Sequence, residues 1–158
     1  METFALLVAG SRNFNNYDLL SFVLDKLLFN QQNKKIVIIE GEARGADTLA
    51  KKYAEEKGYE VIPFPANWKA YGKRAGYMRN AEMHNALSKY EHRGVVCFWD
   101  GQSKGTAHNF RLAYKYNNPI RVIKNGIYMH QKELDELTKC MISKELELMK
   151  RYDNHKWD

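Results

Sequence analysis

Five short apolar runs punctuate the chain: Phe4 to Ala9, Ile36 to Ile39, Val61 to Phe64, Val95 to Trp99 and Ile120 to Ile123. None alternates apolar with polar positions. Continuous runs bounded by Gly, Asn or Pro suit strands buried on both faces, as in a parallel sheet. Stripes of helical period lie between them. Leu19, Leu20, Val23, Leu24, Leu27 and Leu28 form one; Ala46, Leu49, Ala50, Tyr53 and Ala54 form a second. Asn16 is placed to cap the first helix, and Gly58 to end the second. A third helix is predicted over Lys73 to Lys89. A fourth runs from near Thr106 to Tyr116 and ends at Asn117-Asn118-Pro119.

Strand and helix thus alternate five times. That pattern predicts an α/β fold: a Rossmann-like three-layer sandwich, a parallel sheet of about five strands with helices on both faces and right-handed crossovers. After Gln131 the pattern changes. Leu134, Leu137 and Met141 begin a C-terminal helix, mixed charges follow through Arg151, and Tyr152 to Asp158 form a polar tail expected to fray. One domain is expected, with residues 1–125 as its Rossmann-like part and residues 126–158 as a helical extension.

Composition narrows the class. A chain of 158 residues with 44% hydrophobic content can build one core. No apolar run approaches the roughly 20 residues that span a bilayer. The N-terminus lacks the basic start of a signal peptide. The expected location is therefore the cytoplasm, with no membrane partner. Cys97 lies in an apolar run and Cys140 in a helical one, and both are expected to be buried free thiols. The net charge of +6 favours an anionic partner, and nucleotides, nucleic acid and acidic proteins all fit.

Four segments carry the candidate chemistry, and three of them directly follow a predicted strand. Open parallel sheets bind ligands beyond the carboxyl ends of their strands, where the strand order switches direction. Gly10-Ser11-Arg12 offers close backbone approach, a hydroxyl and a guanidinium fork. Gly41 to Asp47 places Gly45 and Ala46 at a helix start, where free amides favour an anion. Asp47 in that first turn either steadies the helix dipole or holds a ribose hydroxyl or an arginine. Trp68 to Asn80 packs three aromatics, two glycines and four cations into thirteen residues, including Gly76, Arg79 and Asn80. Gly101-Gln102-Ser103-Lys104-Gly105-Thr106 leads into a helix like a phosphate cradle. Neither a Walker A loop nor a Gly-x-Gly-x-x-Gly fingerprint is present. The histidines show no metal-ligand spacing and no nucleophile elbow exists, so no metal or cofactor is expected.

As an ordered set these pieces are distinctive: Gly10-Ser11-Arg12-Asn13-Phe14, Gly41-x-x-x-Gly45-Ala46-Asp47-x-Leu49-Ala50, Trp68-x-x-Tyr71-Gly72-x-x-Ala75-Gly76-x-x-Arg79-Asn80-x-x-Met83, and Gly105-Thr106. The set, covering Phe4 to Ile123, resembles the YspA-like branch of the SLOG superfamily, which also contains the DNA-processing protein DprA and the Lonely Guy enzymes. The resemblance implies a pocket for a nucleotide or a phosphoribosyl or ADP-ribose-like ligand, and a homodimer. It assigns Gly10 to Arg12, Gly45 to Asp47 and Gly101 to Thr106 to the phosphate side. Arg79 matches an arginine of the Lonely Guy phosphoribohydrolase site, where lysine stands in place of Asn80. Asn109 stands where those enzymes have a glutamate, and an amide cannot act as a carboxylate base. Substitute carboxylates would be Asp47, Asp100 or Glu82. The implied functions are a ligand sensor or a hydrolase of an N-glycosidic or phosphate bond, the latter with Arg79 on the phosphate and Asp47 on the ribose. The alternative is DprA-like binding of single-stranded nucleic acid.

Overall fold

The computed structural model describes the backbone of residues 1–156 and the side chains of residues 1–151. The fraying expected for Tyr152 to Asp158 lies outside these described side chains and terminal residues. Six strands form one sheet: β1 (Thr3–Gly10), β2 (Lys35–Glu40), β3 (Glu60–Pro63), β4 (His92–Trp99), β5 (Ile120–Lys124) and β6 (Ile127–Tyr128). The helices are α1 (Tyr17–Leu28), α2 (Ala46–Lys57), α3 (Trp68–Tyr71), α4 (Ala75–Leu87), α5 (Lys104–Tyr116) and α6 (Gln131–Lys156). The strand order is β3-β2-β1-β4-β5-β6. The first five strands are mutually parallel, and β6 pairs antiparallel with β5.

The unbroken apolar runs are explained by two cores, one on each face. Ala5, Leu7, Ala9, Val95 and Cys97 point to a cluster completed by Met83, Leu87, Phe110 and Leu134, from α4, α5 and α6. Leu6, Val8, Val96 and Phe98 point to the other, completed by Leu20, Leu24, Leu28, Ala50 and Tyr53 from α1 and α2. Successive strand side chains face opposite sides, so a strand covered twice must be apolar at every position. Each fully buried Leu or Phe contributes about 1.5–3 kcal/mol by leaving water.

The caps follow from local chemistry. Asn16 accepts from the Leu19 amide at 3.0 Å, and Gly58 ends α2 with φ 75°. Three expectations change. The helix expected over Lys73 to Lys89 is α4 and starts at Ala75; a short helix not expected from the sequence, α3, precedes it, and a 3-10 turn covers Gly72–Arg74 with Gly72 at φ 56°. The sixth strand comes from Asn125-Gly126, both at positive φ, which matches a two-residue hairpin of the right hand. Cys97 is buried as expected, but Cys140 is exposed, because the α6 face that packs on the core carries Leu134, Leu137 and Met141 instead. Among the described residues no helix is long and apolar enough to cross a membrane.

β1 and β4 are neighbours, yet the chain leaves them in opposite directions, toward β2 and toward β5. Their following loops therefore part and open a crevice.

Candidate functional site

The crevice is a cavity of about 550 Å³ lined from all four sequence segments. The loop after β1 supplies Gly10, Ser11 and Arg12; the loop after β2 and the start of α2 supply Ala43, Arg44 and Asp47. α3 and α4 contribute Trp68, Gly76, Tyr77, Arg79 and Asn80. The loop after β4 and α5 contribute Asp100, Ser103, Gly105, Thr106 and Asn109.

Four expected site residues do not border this cavity; they shape it from behind. A Cβ on Gly45, which sits at φ 82°, would lie 2.3 Å from the Ser11 carbonyl oxygen, so only glycine lets the loop after β2 close on the loop after β1. A Cβ on Gly41 would meet the Arg79 side chain at 2.8 Å. Ala46 is fully buried against Gly10, and Gly101 takes φ 85° in the turn after β4.

Five backbone amides of these loops are engaged by the protein's own carboxylates. Asp47 Oδ2 accepts from the amides of Gly41 and Ala43 at 3.2 and 3.1 Å, and Glu40 accepts from Glu42. Asp100 Oδ1 accepts from Gln102 and Ser103 at 2.9 and 2.8 Å. Ser11 Oγ accepts from the Asp100 amide at 3.1 Å and ties the two sides of the crevice together. Cationic side chains supply attraction for an anion: Arg12, Arg44, Lys73 and Arg79 all border the cavity.

Arg79 is 9% exposed. Its Nε donates to Asn80 Oδ1 at 2.9 Å and its Nη1 donates to the Gly41 carbonyl, leaving Nη2 without a protein acceptor among the described residues. Burial pulls its pKa down while the charge of Asp47 pushes it back, and a guanidinium stays cationic regardless. Arg12 is exposed and lies over the Trp68 ring, 5.4 Å from its centroid. Trp68 and Tyr77 are 48% and 45% exposed, so part of each ring stays open beside the cations.

Asp47 is 6% exposed. Burial pushes its pKa up to about 6, against the opposing pull of the Ala43 amide and the Arg79 charge. Asp100 goes the other way, held low by the amides of Ser103 and Gln102. Glu40, which the sequence reading missed, is buried behind Asp47, and burial pushes it up to about 7. Its signal was an acid ending an apolar strand run, directly before Gly41. Glu82 is exposed on α4 and does not border the cavity.

Asn109 is 2% exposed and both ends of its amide are engaged. Oδ1 sits 3.0 Å from His84 Nε2, and Nδ2 donates to the Thr106 carbonyl at 3.2 Å. On the far side of the imidazole, Asn118 Nδ2 lies 3.2 Å from His84 Nδ1. Burial pushes the His84 pKa down to about 4. The ring is therefore neutral, with Nε2–H donating to Asn109 and Nδ1 accepting from Asn118, an assignment made from the network. Asn109 is an amide that ties the start of α5 to the buried imidazole of His84.

The sequence profile of the YspA, cpYpsA-related SLOG family matches residues 4–71. Gene 61 protein of Mycobacterium phage D29 is 32% identical over 124 residues, covering 73% of this chain and 92% of the phage protein. The chain belongs to the YspA-related SLOG family. Within it, the profile spans β1 to α3 and so contains the first two walls of the crevice, while α4 and α5 lie beyond the match. Among solved structures, DNA processing protein A (DprA) from Streptococcus pneumoniae has a TM-score of 0.54 at 17% identity. That similarity covers 90% of this chain but 56% of the DprA chain, so this chain spans little more than half the length of that protein. At such identity the likeness is one of fold. A predicted subunit of tRNA methyltransferase from Methanocaldococcus jannaschii DSM has a TM-score of 0.32 at 14% identity, over 86% of this chain and 74% of that one.

Proposed function

We propose that this SLOG protein binds a phosphorylated nucleoside in the crevice between the loops after β1 and β4. One observation carries the reading: a single cavity of about 550 Å³ is bordered by Arg12, Lys73 and Arg79, by the carboxylates Asp47 and Asp100, and by the rings of Trp68 and Tyr77. Guanidinium and ammonium groups suit phosphate oxygens. Carboxylates accept from ribose hydroxyls, and an exposed ring offers a stacking face to a base. Family membership supports a nucleotide-related ligand.

Asn109 brings no ionisable group, so the reading is of a site that holds its ligand without cleaving it. In a hydrolytic version Arg79 would bind the phosphate and Asp47 would hold the ribose. Chromatographic detection of free base released from AMP by the protein would decide for that version.

The binding test uses calorimetry with AMP and adenosine. Arg12 is exposed, so Arg12→Ala leaves the fold intact and should weaken AMP by about 10- to 100-fold, the worth of a charge-assisted hydrogen bond, without weakening adenosine. Unchanged AMP affinity removes Arg12 from the phosphate site. Arg79→Ala would also abolish two internal hydrogen bonds, so its binding loss must be read beside its melting temperature.

A second reading, single-stranded nucleic-acid binding, is favoured by one feature: Trp68 and Tyr71 are exposed on α3 among Lys69, Lys73 and Arg74. It requires affinity for an oligonucleotide that falls steeply with salt, because bound phosphates release counterions. No binding at low salt eliminates it.

A further inference from the structure

We infer that Glu40 is a positioning residue of the phosphate site, and that its carboxyl must carry a proton for an anion to bind well beside Arg79. The inference rests on the nucleotide reading above and makes a proton the regulator of that site. Glu40 ends β2, and alternation along the strand turns it to the α2 side with Ile36 and Ile38. It is 1% exposed and does not border the cavity. Its Oε2 accepts from the Glu42 amide at 2.5 Å, while Oε1 is buried without a hydrogen-bond partner among the described residues. Ionisation would leave a charged acceptor buried and unpaired, so the geometry favours the acid form. Asp47 from α2 and Glu42 from the same loop add negative charge beside it. Lys51 from α2, which is exposed, and Arg79 from α4 add positive charge. Burial outweighs these neighbours and pushes the carboxyl up to about 7.

The turn that Glu40 holds is the one that aims Arg79. Glu42 stands at φ 55°, a left-handed conformation that non-glycine residues adopt at a cost, and its amide is fixed there by Glu40. One residue earlier, the Gly41 carbonyl accepts from Arg79 Nη1. Asp47 grips the same turn through the amides of Gly41 and Ala43. Two carboxyl groups therefore share one turn and the guanidinium of Arg79. While Glu40 is protonated, Arg79 answers only the Asp47 carboxylate. Once Glu40 ionises, Arg79 answers two, and the positive potential that a phosphate meets is reduced. By linkage, a bound phosphate raises the proton affinity of Glu40 in turn, so binding and proton uptake are one coupled event.

The test is calorimetry with AMP on the full chain and on Glu40→Gln, which keeps the shape of the side chain but cannot titrate. At about pH 7.5, in buffers of different ionisation enthalpy, the wild type should take up a measurable fraction of a proton per AMP bound and the variant distinctly less. Between about pH 6.5 and 8.5 the AMP affinity of the wild type should fall at least about threefold relative to that of the variant. The ratio cancels the titration of AMP itself and of Asp47. A merely structural Glu40 would change affinity by the same factor at every pH. Glu40→Met serves the same comparison if Glu40→Gln does not fold. Equal proton uptake, or a ratio that does not move with pH, overturns the role of Glu40 and leaves the nucleotide reading standing. Absence of AMP binding by the wild type overturns the nucleotide reading, and this inference with it.

Discussion

A side chain at position 45 has nowhere to go. Its Cβ would press on the carbonyls of Ser11 and Arg12, in a backbone conformation that L-residues rarely adopt. Gly45→Ala should therefore destabilise the protein by about 2–4 kcal/mol in urea unfolding, the sum of backbone strain and a forced loop shift. A cost below about 0.5 kcal/mol would mean that the two loops do not need to touch. Asn109 is tied just as closely. Asn109→Leu would leave His84 Nε2–H buried without an acceptor, a loss of about 1–3 kcal/mol. Asn109→Asp keeps the acceptor atom but brings a charge to a buried position, so it tests whether the amide's neutrality matters. Neither role could be read from the sequence. Asn109 stood out there for the carboxylate it lacks, and its partner His84 was one of several scattered histidines.

The C-terminal helix divides into a docked half and an exposed half. Leu134 is buried and Thr138 turns its hydroxyl back to the Leu134 carbonyl at 2.8 Å, while Leu146, Leu148 and Met149 are exposed. Leu134→Ala should cost about 2–4 kcal/mol by opening a cavity beside Phe110 and Met129, whereas Leu146→Ala should stay within about 0.5 kcal/mol. Similar costs for the two would place the whole helix on the core. The periodicity made α6 legible as a helix but could not divide it, because Leu134 and Leu146 look alike until a core surface is present. The short helix α3 was not expected either, because four residues make a single turn, too short for a periodic stripe to show.

At the scale of the whole molecule, burial displaces four of the described acids and histidines in opposite directions. It pushes Glu40 up to about 7 and Asp47 up to about 6, and pushes His84 and His108 each down to about 4. Between about pH 4.5 and 6 the folded state keeps protons on the two acids, while the unfolded chain keeps protons on the two histidines. The acids alone would make stability fall as pH rises through this window, and the histidines alone would make it rise. The two tendencies oppose one another, so urea midpoints should vary little across it. Glu40→Gln removes one of the acids and should produce stability that rises with pH from about 4.5 to 6.5. Parallel profiles for the two proteins would show that Glu40 does not titrate as a buried acid.

The layered α/β fold, its alternation of five strands with helices and the four segments that meet at the crevice were legible in the order of residues alone, because two-sided burial leaves uninterrupted apolar runs and glycine marks the turns that need it. Only the tertiary structure decided how those segments divide the work. Gly41, Gly45, Ala46 and Gly101 pack behind the crevice, while Arg12, Asp47, Arg79 and Asn80 border it. The distinction depends on which atoms approach within a few ångströms across the sheet, between residues tens of positions apart. Local pattern carries no record of that distance. The same is true of the carboxylates of Asp47 and Asp100, which accept from the amides of Gly41, Ala43, Gln102 and Ser103.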